Sequence, residues 1–437
     1  MKTHPPDPIL RRLLHSSEET LQPVREHVAE CSRCSRRIAS LHAQRPPESA
    51  YDAALTSGAK RLRDLQAFYE REREGATGLV AELLKHPAER RRILVRNHTR
   101  FHTWGVFERL LEKSRREGAQ NSSLGEAHAC LALDLSEYID PATYGTEAIE
   151  DLRGRAWAYI GNARRVQSDL RGAQDALDRA LMHLRRGTRD PWERAVWLDL
   201  KASLLRAQRR FDEAIRLLRR ALVLFLAVGD RHRAGRTLVS MDVVFHHSGQ
   251  PERGIPLLHR ALDLIDPAQE PHLLVIAKHN LIDDLVESGR FMEAQRLLLK
   301  TRSLYGRFDE PWIQNKLVWV EGKIARGLGQ TDRAEEIFQT AKARFLDMNS
   351  AYDVALVSLD LAGLYTEQGR TMELKQLAGE MVPIFASLQV QRETLAAFTL
   401  WQQAVQAETA GAELTARIAN SLKRARYDQN TPGQNSI

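Results

Sequence analysis

The chain has 437 residues, 43% hydrophobic, 28% charged and 6% aromatic, the composition of an ordinary soluble protein with room for two or three domains. Its net charge of +7 is spread along the whole length, with no basic tail or motif of the kind that binds nucleic acid. Three cysteines cannot staple a secreted fold, no apolar run approaches the roughly 18 residues of a membrane span, and the start MKTHPPDPILRRLLHSSEE lacks the apolar core of a signal peptide. A cytoplasmic location is therefore expected. Ala, Leu, Arg and Glu dominate and β-branched residues are sparse, which favours helix throughout.

Residues 1–45 differ in character from the rest. Their core, EHVAECSRCSRRI, spaces His27, Cys31 and Cys34 as His-x3-Cys-x2-Cys. On one helix His27 and Cys31 share a face and Cys34 follows a turn later. Three soft or borderline ligands converging in this way suit tetrahedral zinc. A module this short buries too little core to be stable unaided, so a metal would contribute directly to its folding. The alternatives are a surface helix that happens to carry Cys-x-x-Cys, or a redox dithiol. The βαβ pattern that accompanies thioredoxin-like dithiols is absent.

The motif, with a short helix and the polar Ser17-Glu18-Glu19 leading into Val24 before it, resembles the zinc-binding anti-sigma (ZAS) domain. The resemblance implies a zinc cofactor held by His27, Cys31 and Cys34, and a fourth ligand near the start of the first helix. His4, far upstream of His27, matches that position best, and His15 is the competitor. No cysteine lies upstream, so the thiol-disulfide switching of some family members is not implied. Pro23 falls where the family runs helix, although near a helix start it is tolerated. The implied partner is a sigma factor, withheld from RNA polymerase by the module.

Residues 46–97 read as a helical linker. Pro46-Pro47 marks a boundary, 50–74 reads as one charged helix ending before Gly75 and Gly78, and 79–95 as a second helix whose Glu89-Arg90-Arg91-Arg92 run is a solvated face. Residues 98–145 form an irregular first helix pair, 101–118 and 124–138, with Ala127, Leu131 and Asp134 at its packing positions and Cys130 as a small core residue.

From 146 to 412 the chain repeats. DLRGAQDAL, RFDEAIRLL, QPERGIPLL, RFMEAQRLL, QTDRAEEIF and RTMELKQLA place Ala173, Ala214, Gly254, Ala294, Ala334 and Leu374 at a near-constant interval. Each unit is two amphipathic helices that bury their apolar faces only by stacking on neighbours. The small residue lets the second helix approach the first; four residues on comes a large one (Leu177, Leu218, Leu258, Leu298, Phe338), and three further a small one again (Ala180, Ala221, Ala261, Ala341, with Thr301 in the fourth unit). Trp157, Ile160 and Gly161 complete a tetratricopeptide-like (TPR-like) signature in the first unit, and Gly322 holds the glycine position in the fifth. The interval is longer than that of a standard TPR, and HEAT and armadillo repeats share it. The small–large–small pattern speaks against those two. It resembles the elongated TPR arrays of bacterial transcriptional regulators and signalling ATPases. The fold expected is all-α: a small helical zinc-binding module, then a right-handed TPR-like α-solenoid of about seven helix pairs. A helix over 391–410 should cap it, with 413–437 a helical end and a disordered TPGQNSI tail.

No Walker loop, nucleophile elbow or Rossmann fingerprint occurs. His98/His102 and His246-His247 lack a third ligand in register, and Asp283-Asp284 point to different helical faces, so no enzyme is expected. In TPR arrays the first helices line the binding groove. The positions eleven residues before each anchor are Asn162, Ser203, Val243, Asp283, Lys323 and Gly363; eight before, Arg165, Arg206, His246, Val286, Arg326 and Thr366; eighteen before, Arg155, Arg236 and Lys316 among others. The candidate groove residues are Arg155, Asn162, Arg165, Arg206, Arg236, Lys316, Lys323 and Arg326, suited to an acidic peptide or protein segment; the alternative is generic exposed arginines. The reading is a cytoplasmic protein-interaction regulator, anti-sigma-like through its zinc module, or else a TPR scaffold in which that module is only structural.

Overall fold

A computed structural model describes residues 4–13, 19–43, 48–118, 121–387, 392–406 and 411–425. His15, Ser17, Glu18 and the TPGQNSI tail lie outside them. The chain divides into two compact units, Met1–Gly75 and Ala76–Ile437, and every element among the described residues is helical. None of these helices is long and apolar enough to cross a membrane.

The first unit holds α1 (Asp7–Leu13), α2 (Gln22–Glu30), α3 (Ser32–Ala43) and most of α4 (Glu48–Leu84). Pro23 sits in the first turn of α2, where its missing N–H has no partner to lose. The core is Leu10, Val24 and Leu41, with Leu13, Val28 and Ile38 around them, and Arg37 pairs with Asp7 at 2.5 Å. A core of that size is far below what holds a small domain alone.

The expected helix break at Gly75 and Gly78 is absent, because α4 runs through both to Leu84. Each exposed glycine costs about 1 kcal/mol in a helix. Burial of Ala76, Val80 and Leu83 in the second unit's core offsets this, and the break comes instead before Pro87, where α5 (Ala88–Asn97) begins.

In the second unit α6 (Trp104–Gly118) packs on α7 (Ser122–Leu135). Their backbones nearly touch: a Cβ on Gly125 would lie 2.6 Å from the Cα of Gly118. That contact sets the register of α7. Its buried small residues are Gly125, Ala129 and Ala132, whereas Ala127, expected at the packing position, lies outside that face. The short α8 (Pro141–Tyr144) leads into the array.

Six helix pairs follow. They are α9 (Thr146–Val166) with α10 (Leu170–Arg186), α11 (Pro191–Ala207) with α12 (Phe211–Ala227), and α13 (Arg231–His247) with α14 (Ile255–Leu262). Then come α15 (Pro271–Glu287) with α16 (Phe291–Tyr305), α17 (Pro311–Gly327) with α18 (Thr331–Asp347), and α19 (Ala351–Glu367) with α20 (Thr371–Ser387). The regular helices have 17 residues and short connections, and these lengths account for the long repeat.

The turn inside each pair is the same. The second residue after the first helix is left-handed: Ser168, Arg209, Gly249, Gly289, Gly329 and Gly369 all have positive φ. The next N–H then reaches back five residues, as from Arg210 to Leu205 O and Gln330 to Ala325 O, at 2.8–2.9 Å in all six turns. This is the Schellman closure, which satisfies carbonyls the helix end would otherwise orphan.

Across that turn the expected small–large–small register is buried to the residue. Ala173, Leu177 and Ala180 are fully buried, as are Ala334, Phe338 and Ala341, and Leu374 takes the anchor position of the last pair. Thr301 occupies its small site by donating its hydroxyl to Leu297 O at 2.9 Å. In the first and fifth pairs the first helix carries glycine opposite the large residue. A Cβ on Gly161 would lie 2.9 Å from Leu177, and one on Gly322 would lie 2.7 Å from Phe338.

At the far end α21 (Arg392–Gln406) is followed by a further helix, α22 (Ala412–Ala425). Trp401 is buried and donates to Thr415 Oγ1 at 3.0 Å, while the Tyr352 hydroxyl donates to Leu422 O. This second closing helix answers the composition of α19, which buries almost every residue from Tyr352 to Tyr365. A helix apolar on all sides needs neighbours on all sides.

Two substitutions test the packing. Gly322→Val should lower the unfolding free energy by about 2–3 kcal/mol, because the side chain must displace Phe338. Arg209→Gly should raise it by up to about 1 kcal/mol by relieving the left-handed residue. Urea denaturation followed by circular dichroism reads both.

Candidate functional site

His4 precedes α1, His27 lies in the last turn of α2, Cys31 joins α2 to α3, and Cys34 is in the first turn of α3. The motif is therefore not on one helix: Cys31 is extended, with φ −100° and ψ 102°, and breaks the helix between its partners. The break turns Cys31 and Cys34 toward His4 and His27. The four ligand atoms lie within 4.8 Å of one another. His4 Nδ1 is 3.6 Å from Cys31 Sγ and 3.3 Å from Cys34 Sγ, and His27 Nε2 is 3.5 Å from Cys34 Sγ. Zinc–sulfur and zinc–nitrogen bonds at tetrahedral angles give N···S edges of about 3.6 Å, close to the three N···S distances here, so the group could hold a metal ion. Backbone N–H of Cys34 holds the Cys31 thiol below its ordinary value, whereas burial pushes Cys34 up.

The groove candidates are placed differently. Arg155 is almost fully buried between Glu108 (2.6 Å) and Glu193 (3.1 Å), with Trp192 against its guanidinium. Arg236 binds Glu270 at 2.6 Å, Lys316 binds Asp353 at 3.0 Å, Lys323 binds Asp283 at 2.7 Å, and Arg326 binds Glu367 at 2.5 Å. These five bases are neutralised within the protein. Asn162 accepts from Arg165 at 3.1 and 3.2 Å. Arg165 itself is crowded: burial and the neighbouring Arg206 push it down to about 9 against the pull of Asp199. Arg165 and Arg206, with Arg233 and Arg236, all act on the buried Asp199.

Sequence reasoning misses the neutralising acids, although they carry a signal. Asp283 is 40 residues from Lys323, Glu367 is 41 from Arg326, and Asp353 is 37 from Lys316. Each is close to one repeat away.

A second missed feature is a pair of acids between α13 and α15. Asp242 and Asp284 are essentially inaccessible. His246 Nδ1 lies 2.8 Å from Asp284 Oδ1, and Asn280 donates to Asp242 Oδ2 at 3.1 Å. Their remaining oxygens converge on Gly254, where a Cβ would collide with both. Glycine is the residue that fits there, and burial of two like-charged groups side by side favours their protonated forms. Burial pushes Asp284 up to about 7 and Asp242 well above its ordinary value. Of the other histidines named from sequence, His102 is structural: its Nε2 meets Val95 O at 2.6 Å and its ring stacks on Tyr138.

No protein-family model matches the chain, and no curated protein matches it. Among solved structures it is similar to a Rap protein complexed with Competence and Sporulation Factor, at 14% identity and a TM-score of 0.55, over 74% of this chain and 86% of that one. It is also similar to aspartyl phosphate phosphatase F from Bacillus subtilis, at 13% identity and a TM-score of 0.51, over 88% and 94%. At such identities the likeness is one of fold: a TPR-like helical repeat array.

Two outcomes are expected. Metal analysis of the purified protein should find zinc, retained by His15→Ala and lost from Cys34→Ala and His4→Ala. The acid pair holds protons in the folded chain that the unfolded chain releases near pH 4, so its stabilising contribution falls as pH rises toward 7. Asp284→Asn should remove that loss, so the midpoint difference between variant and parent should grow in the variant's favour from pH 5 to pH 8.

Proposed function

We propose that this chain is a cytoplasmic regulatory protein-interaction protein, which binds an acidic peptide or protein segment along the first helices of its early repeats. The observation that carries this reading is the crowding of Arg165 and Arg206 on α9 and α11. Arg165 is buried with the charge of Arg206 nearby, and a partner carboxylate, which each guanidinium can grip with paired N–H groups, would favour its charged form. A Rap protein with the same fold is known in complex with Competence and Sporulation Factor, and a ligand-binding role for this array accords with that.

The N-terminal module has the finer reading of a zinc-held, anti-sigma-like element that takes a sigma factor as partner. The His4, His27, Cys31 and Cys34 set favours it. The zinc would contribute folding energy to a module whose apolar core is too small, and the scaffold alternative keeps the same metal in a purely structural role.

Replacing Arg165 and Arg206 together by Ala should weaken binding of an acidic peptide by about tenfold or more, read by fluorescence anisotropy, while the thermal midpoint stays or rises. Unchanged affinity would remove the groove assignment. For the module, a stoichiometric complex with a purified sigma factor on gel filtration, lost in Cys34→Ala, is the expected result of the anti-sigma reading; the scaffold reading expects no such complex.

A further inference from the structure

A cavity of about 600 Å³ opens among α10, α11 and α12, lined by residues other than the arginine pair just described. Four arginines line it: Arg185 from α10, Arg189 from the connecting loop, Arg194 from α11 and Arg220 from α12. All four are exposed. Several bases elsewhere in the array meet acids about one repeat away, whereas none of these four has an ion pair among the described residues. Of the two acids lining the same cavity, Asp190 is occupied in capping α11 through Trp192 N at 2.8 Å. Positive charge is therefore in excess.

The walls are specific as well as charged. Trp197 donates its Nε1 to Leu177 O at 2.8 Å, which fixes the indole edge while the ring lines the cavity beside leucines of α10 and α11. Asp151, the second acid, is 6% exposed. Its Oδ2 accepts from Thr188 N and Oγ1, but its buried Oδ1 has no hydrogen-bond partner. That oxygen is sealed against Gly187, where a Cβ would lie 1.9 Å from it, and burial raises the Asp151 carboxyl above its ordinary range, so it offsets little of the positive charge.

Arg189 has φ 65°, a left-handed conformation that side chains avoid and that Ser168 and Arg209 also hold in turns of the array.

We propose that this cavity binds a nucleoside phosphate. The arginines take the phosphates and Trp197 faces the base. The volume is that of a small-molecule pocket, which disfavours an extended peptide. The Trp197 ring and the leucines beside it favour an anion that also brings apolar surface.

Full-length protein is titrated with a fluorescent N-methylanthraniloyl ADP, followed by calorimetry with ADP, GDP, pyrophosphate and adenosine. Saturable one-to-one binding of ADP or GDP is expected, weakened about tenfold by Arg220→Ala and by Arg189→Gly. The Arg189→Gly variant relieves the backbone, so its thermal midpoint should hold or rise, which separates lost binding from lost folding. No saturable binding of either nucleotide at millimolar concentration would overturn the proposal, and so would parental affinity in both variants. Pyrophosphate binding as tightly as ADP would overturn the nucleoside assignment.

Discussion

The array depends on one backbone event repeated six times: a residue turns left-handed just past the end of the first helix, and the next amide reaches back to close that end. That closure fixes where the second helix starts and at what angle it leaves. Once the angle is set, a small anchor, a large residue one turn on and a small one after it meet the first helix at fixed heights. A longer connection would let the helices splay, and the glycine contacts at Gly161 and Gly322 would have no reason to be so close. The same event sets the period. Each regular helix runs for 17 residues and each connection is brief, so the long repeat is a statement about helix length rather than about inserted loops.

Because the turn fixes the pairs, the pairs can be tied to one another by polar side chains. Lys323 to Asp283, Arg326 to Glu367 and Arg155 to Glu193 all reach roughly one repeat along the chain. Partly buried pairs of this sort add little net stability but penalise wrong register, since slipping one repeat leaves charges unpaired out of water. They also change the meaning of a basic first helix. A lysine that looks like a ligand contact from its position can be a tie between repeats.

The repeats are legible in the sequence because their signal is periodic and local. Six anchors at one spacing leave few alternatives, and burial follows them residue by residue. The irregular pair is misread because no period constrains it: Ala127 has the look of an anchor, while the Gly118–Gly125 backbone contact moves the buried face of α7 to Gly125, Ala129 and Ala132. The run of helix through Gly75 and Gly78 escapes for a related reason, since propensity cannot register burial of Ala76, Val80 and Leu83 around and beyond the glycines. In the N-terminal module the three-residue motif is legible, but the extended Cys31 between two helices is not. His4 can be chosen over His15 only through resemblance, because so wide a separation from His27 carries no geometric information.

The two arginine-rich regions of the array show how the same residue type takes opposite roles. Along the first helices of the later repeats, cations sit beside acids one period away and beside Trp319, which Lys316 and Lys323 approach at 4.6 and 4.9 Å. Such groups are already satisfied, and a partner would have to break existing pairs to reach them. Around the cavity of α10 to α12 the arginines have no such ion pairs among the described residues. Positive charge that is solvated yet confined to the rim of an apolar recess is cheap to keep and strongly favours an anion that also brings apolar surface. Density of arginine is thus a poor guide to binding in this chain. Among the described residues, what distinguishes these two regions is whether the bases have acids paired with them.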